Sequence, residues 1–285
     1  MSAIEHEARV IQPAHQIGQM DVRQVREAAD IVYLEEGEGV PILFLHGIGG
    51  GAPVFAPQLA HFGKQYRAIA WDMPGYANSA PLPLVTMEAL AASLAGFIKA
   101  LELDRPVLVG HSLGGMIVQR LLAASPHIGR AVVLSQTSAA FGGRDPAWAE
   151  QFVASKLGPL DAGHSMETIA GEAIRGSIGQ GADAAGVAAA EAAFGAVPES
   201  TYRDMVLAMP GFDQREALDR IAVPTLVVAG SLDQLAPAAG CERMAGRIPG
   251  ARYVVLEGAG HLAHAEQPGA FNAALDKFLA ECPTA

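Results

Sequence analysis

The run Pro106-Val107-Leu108-Val109-Gly110-His111-Ser112-Leu113-Gly114-Gly115-Met116 constrains this chain more than any other stretch. Its first part is continuously apolar, the mark of a strand buried on both faces. Its last part leads into Met116–Ala124, which is apolar at helical spacing. A strand that turns straight into a helix, with serine at the apex, leaves no room for side chains two residues to either side. They would strike the neighbouring strand and helix, and glycine stands at both places, Gly110 and Gly114. The helix begins just after Ser112, so its free N–H groups face the serine and favour negative charge there. Five such residues recur by chance. With the strand before and the helix after, the pattern points to an exposed nucleophilic serine.

Around this turn the chain alternates between strands and helices. Strands are expected at Val22–Arg26, Asp30–Leu34, Pro41–Leu45, Arg67–Trp71, the run into Gly110, Arg130–Leu134, Val223–Ala229 and Arg252–Leu256. Helices are expected near Val54–Phe62, at Thr86–Leu101 with Thr86 as its cap, near Ala238–Ile248, and at Pro268–Ala280. Eight strands interleaved with helices make an α/β fold, a mostly parallel sheet covered on both faces. The rhythm breaks at residue 136. Between Gln136 and Gly211 come four helix-like segments (Ala147–Leu157, Met166–Ser177, Ala184–Phe194 and Thr201–Ala208) with no buried strand. They read as a helical cap inserted into the sheet. The expected organisation is an N-terminal arm over residues 1–21, a core over 22–135 and 212–285, and a cap over 136–211.

Composition removes several function classes. A net charge of −11 argues against a nucleic-acid partner, whose phosphates would repel the chain. No apolar run approaches the ~18 residues of a membrane span, so no membrane partner is expected. Met1–Gln16 carries Glu5 and Glu7 and lacks the apolar centre of a secretory signal. Two cysteines, Cys241 and Cys282, exclude a disulfide scaffold and point to a reduced, cytoplasmic setting. There is no His-Glu-x-x-His and no Cys-x-x-Cys, so no metal is expected. The glycine-rich run His46–Gly51 has neither dinucleotide nor P-loop spacing.

A serine hydroxyl needs a base within hydrogen-bond reach, and the base needs an acid that fixes its tautomer. In a parallel sheet the carboxyl ends of the strands open onto one edge, where sites gather. Three residues follow strands in the required chain order: Ser112 as nucleophile, Asp233 as acid and His261 as base. His46 reads as a structural residue of its loop, Asp72 as a loop-stabilising carboxylate, and His264 as a flank of the site. The Ile48 N–H, after Pro41–Leu45, is the expected partner of the Leu113 N–H in an oxyanion hole. No cofactor is needed for this chemistry.

These motifs together resemble the α/β-hydrolase superfamily: His46-Gly47, Asp72-x-x-Gly75, Gly110-His111-Ser112-Leu113-Gly114-Gly115, Gly230-x-x-Asp233-x-x-x-Pro237 and Gly258-Ala259-Gly260-His261. Ala77 departs from the pattern, standing where the loop after Asp72 usually has a second glycine. Within the superfamily, the tail Gly260–Pro268 is similar to that of 3-oxoadipate enol-lactonases and related carboxylesterases. The resemblance implies a serine hydrolase acting on a small carboxylic ester or lactone through an acyl-enzyme. C–C bond hydrolases of ring-fission products and acyltransferases share the triad. The former commonly carry Trp just after the histidine, where Leu262 and Ala263 stand here. A non-catalytic binding protein on this fold is the remaining reading. Specificity is expected in the cap, with Phe141, Trp148, Phe152, Met205, Met209 and Phe212 as apolar wall and one of Arg144, Arg175 and Arg203 as partner of a substrate carboxylate.

Overall fold

The computed structural model describes residues 9–10, 25–142 and 146–282. In chain order the elements are β1 Arg9–Val10, β2 Val25–Ala28, β3 Ile31–Glu36, β4 Pro41–Leu45, α1 Ala56–Phe62, β5 Arg67–Trp71, α2 Met87–Ala100, β6 Val107–His111, α3 Leu113–Ala124 and β7 Ala131–Ser135. Four helices follow: α4 Pro146–Asp161, α5 Met166–Arg175, α6 Ala184–Gly195 and α7 Glu199–Ala208. The chain then returns to β8 Thr225–Gly230, α8 Ala238–Ala245, β9 Arg252–Leu256, α9 Ala263–Glu266 and α10 Pro268–Leu279.

The sheet order is β1-β2-β3-β5-β4-β6-β7-β8-β9. Pairings from β1 to β5 through β3 are antiparallel, and β4–β5, β4–β6 and all those from β6 to β9 are parallel. The eight expected strands are present, and the two-residue β1 adds a ninth at the edge. It falls within the segment read as an arm; the rest of that arm, and residues 22–24 of the first expected strand, lie outside the described residues. Strands β6, β7 and β8 are buried at every position, as continuous apolar runs must be when helices cover both faces. Two apolar layers result. One packs α2, α3 and the inserted helices on one face, the other α1 and α10 on the opposite face.

Thr86 caps α2 by accepting from the Ala89 N–H at 3.1 Å. Ala77 adopts φ +48°, so the loop after Asp72 keeps a left-handed turn although it lacks the glycine that takes it without strain. Helices α4–α7 leave the sheet after β7, and the chain returns to it at β8.

The glycines flanking Ser112 have a visible steric cause. A Cβ on Gly110 would lie 2.6 Å from Gly115 Cα in α3, and one on Gly114 would lie 2.3 Å from the Leu45 carbonyl oxygen at the end of β4. Both obstacles are backbone. Gly114→Ala is therefore expected to destabilise the protein by about 1–3 kcal/mol or prevent folding, measured by urea denaturation. Unchanged stability would refute this account of the turn.

Candidate active site

The carboxyl ends of the parallel strands bring the three candidate residues to one edge. Ser112 follows β6 with φ +51° and ψ −117°, a conformation costly for any residue with a Cβ. Hydrogen bonds on each side hold it there. Its N–H donates to the Ser135 carbonyl at 3.0 Å, and its own carbonyl accepts from the Met116 N–H at 3.1 Å and the Thr137 hydroxyl at 2.7 Å. His261, in the loop after β9, places Nε2 3.0 Å from the Ser112 hydroxyl oxygen. Its Nδ1 lies 2.8 Å from Asp233 Oδ2, after β8. Asp233 Oδ1 accepts from the N–H groups of Leu235 and Ala236 at 2.8 and 3.0 Å. Burial opposes the Asp233 carboxylate, but the His261 hydrogen bond and charge, with those two N–H groups, outweigh it and hold its pKa below the usual range. An ionised Asp233 makes Nδ1 of His261 the protonated nitrogen and leaves Nε2 free to accept from the serine hydroxyl.

Residues 40–268 match the family pattern described as alpha/beta hydrolase fold. The chain belongs to this family. It is 29% identical over 262 residues to the pimeloyl-[acyl-carrier protein] methyl ester esterase of Xanthomonas campestris pv. campestris, covering 87% of this chain and 98% of that one. It is also 29% identical over 254 residues to part of the polyketide synthase ThaQ of Burkholderia thailandensis; 87% of this chain is covered, but only 12% of that protein's length. The structure of the enol-lactonase from Burkholderia xenovorans LB400 superposes with a TM-score of 0.76 at 26% identity, covering 88% of this chain and 96% of that one.

In this α/β-hydrolase the remaining histidines near the serine are buried. His46 donates from Nδ1 to the Gly47 carbonyl at 2.8 Å and accepts at Nε2 from the Met73 N–H at 3.0 Å, which fixes its tautomer; burial lowers its pKa to about 4. It is a brace of its loop, as expected. His111 donates from Nε2 to the His261 carbonyl at 2.8 Å, and burial, then the neighbouring His264 and His261, keep its pKa well below the usual value. His264 stacks on His111 at 4.5 Å and on Phe55 at 4.8 Å, and neither ring nitrogen has a partner among the described residues. Burial lowers its pKa to about 3. Asp72 accepts from the Ala52 N–H at 2.7 Å, and burial raises its pKa to about 6, which suits a loop brace.

Sequence reasoning missed Glu266. This residue is 2% exposed. Its Oε2 accepts from the N–H groups of Gly179 and Gly260 at 2.6 and 2.8 Å, and its Oε1 from Leu262 at 2.8 Å. The carboxylate thus grips both neighbours of His261 and the segment after α5. The His261 N–H itself donates to the Ser177 carbonyl at 2.7 Å. An acidic residue directly after Leu262-Ala263-His264-Ala265, two positions before the helix-starting Pro268, was the available signal.

A cavity of about 1100 Å3, open mouth included, reaches Ser112 and His261. Ile48 lines it, and its carbonyl is pinned by the Tyr76 hydroxyl at 2.7 Å; Leu113 opens α3, so its N–H has no acceptor within the helix. Of the expected apolar wall, Phe141, Phe152 and Met209 line the cavity, whereas Met205 and Phe212 are buried in the core and do not reach it. Trp148 does not; it stacks on Phe152 at 5.4 Å and meets the edge of Phe141 at 5.3 Å, outside the lining and 37% exposed. Two of the expected arginines pair with carboxylates outside the cavity lining. Arg175 faces Glu191 at 3.8 Å, Arg203 pairs with Asp161 and Glu199 at 2.7 and 2.8 Å, and Arg144 lies outside the described residues. Gln136 also lines the cavity, with its amide nitrogen unpartnered among the described residues.

Two outcomes follow from these contacts. Glu266→Gln replaces a charged acceptor of three N–H groups and is expected to cost about 1.5–3 kcal/mol of stability, read by denaturation. His264 is neutral when folded, so protonation favours the unfolded chain. Its contribution is present above its unfolded pKa of about 6.5 and is lost as pH falls toward its folded value of about 3, at up to about 1.4 kcal/mol per pH unit. His264→Phe is expected to flatten the fall of unfolding free energy between pH 6.5 and 4; an unchanged slope would count against it.

Proposed function

We propose that this α/β-hydrolase is a serine hydrolase of small carboxylic esters or lactones. The observation that carries the proposal is the continuous hydrogen-bonded line from Asp233 through His261 to the Ser112 hydroxyl at the floor of an open cavity. Ser112 attacks the carbonyl carbon while His261 takes its proton at Nε2. The tetrahedral oxyanion is held by the N–H groups of Ile48 and Leu113, each contributing about 3 kcal/mol to the barrier reduction. His261 passes the proton to the departing alkoxide, leaving an acyl group on Ser112. Water, deprotonated by His261, then attacks the acyl carbon and releases the acid and the free serine. The helices α4–α7 act as a cap, corresponding to residues 136–211, and supply part of the cavity wall through Phe152, Ile174 and Val206.

The ester and lactone class is supported by the relatives, which include a methyl ester esterase and an enol-lactonase. The test combines labelling with a substrate panel. A fluorophosphonate is expected to modify Ser112 in folded protein, and Ser112→Ala is expected to lower kcat by about 10³-fold or more. A panel of p-nitrophenyl esters, lactones and ring-fission dienones should show turnover in the first two groups. Absence of label would refute the nucleophile; turnover of dienones alone would move the activity to C–C bond hydrolysis.

A further inference from the structure

The cavity wall is mostly apolar, and among the described residues it contains one cationic side chain other than histidine, Lys156 on α4, and no aspartate or glutamate. Lys156 lies two turns beyond Trp148 and one beyond Phe152, on the same stripe of the helix, so its half-buried stem continues the aromatic surface. A lysine on a helix ordinarily finds an acidic partner three or four residues away. Here those positions are Phe152, Val153, Pro159 and Leu160. Among the described residues no carboxylate pairs with Lys156; Asp161, on the same helix, is taken by Arg203. A positive charge beside an apolar, partly enclosed space attracts an anion more strongly than one in open water.

We propose that Lys156 is the specificity-determining residue of this site, anchoring an ionised carboxylate carried by the ester or lactone in addition to its reacting carbonyl. The inference rests on the ester or lactone reading above and narrows it to acidic substrates. The ammonium pairs with the carboxylate while the rest of the substrate lies along the apolar wall toward Ser112. The cation sits on α4, whereas Arg175 and Arg203 are spent on carboxylates.

The experiment compares kcat/KM for the p-nitrophenyl hemiester of glutaric acid with that for p-nitrophenyl pentanoate. It makes the same comparison with the carboxylate on the alcohol side, for 4-acetoxybutyrate against butyl acetate. The unaltered enzyme is expected to prefer the acidic member of at least one pair. Lys156→Met is expected to reduce that preference about tenfold, and Lys156→Glu to reverse it. Equal preference in the unaltered enzyme and in both variants would overturn the proposal while leaving the ester reading standing. Binding of glutaric acid monoamide and of neutral pentanamide, measured by calorimetry, separates the two claims. Lys156-dependent binding of the anion without turnover of any ester would uphold the anchor and refute the ester reading. Neither binding nor turnover would refute both.

Discussion

The close approach of β6 to α3 through Ser112 is the contact on which the rest of the site depends. Three glycines permit it: the Cβ of any other residue at Gly110 or Gly114 would enter backbone, and at Gly115 it would strike Thr137. The serine itself is held at positive φ by its N–H bond to the Ser135 carbonyl and by the donors Met116 and Thr137 on its own carbonyl. Such strain costs about 1–3 kcal/mol and survives only where the surroundings over-determine it. The surroundings here are the fully buried centre of a parallel sheet. Strain and rigidity are therefore two sides of one arrangement, which aims the hydroxyl out of the sheet edge.

Across from that rigid turn, the histidine loop depends on the inserted helices. His261 donates its N–H to Ser177, Gly260 lies so close that a Cβ would sit 2.2 Å from the Ser177 oxygen, and Glu266 binds N–H groups on both sides of the junction. Gly186 at the start of α6 lies equally close to Ala265. The proposed base is thus packed between the sheet and the helices that wall the cavity. A change in how those helices sit would reach His261 through backbone contacts, without any side chain as intermediary.

The electrostatics divide the imidazoles by role. His46, His111 and His264 are kept neutral by burial, and two of them spend their ring nitrogens on backbone groups. Of the four imidazoles near the serine, His261 is the one that meets a carboxylate among the described residues: Asp233, whose own donors hold its pKa down. Neutral neighbours matter because a second imidazolium within about 5 Å would oppose the charge His261 gains during proton transfer.

Much of this was legible along the chain because its causes are local. The apolar runs of β4, β6, β7 and β8, the glycine spacing around Ser112, and the place of Asp233 and His261 after strands are properties of a few adjacent residues. Strand geometry then fixes where their ends point. The lack of a buried strand between residues 136 and 211 is likewise a local property of the sequence, and four helices stand there. Other features depend on residues far apart in sequence and had no local signature. Glu266 holds the histidine loop only because Gly179 arrives beside it, and Trp148 lies behind Phe152 instead of on the cavity wall because of how α4 turns. Charge pairing is of the same kind. Arg203 is neutralised by Asp161, a residue of another helix, while Lys156 is left on the cavity wall with no carboxylate paired to it among the described residues. Sequence alone determined the sheet, the serine turn and the order of the proposed triad, because backbone sterics and hydrophobic periodicity act between neighbours. Tertiary structure decided which charges are matched and which side chains reach the cavity, because pairing and burial are set by the packing of distant segments.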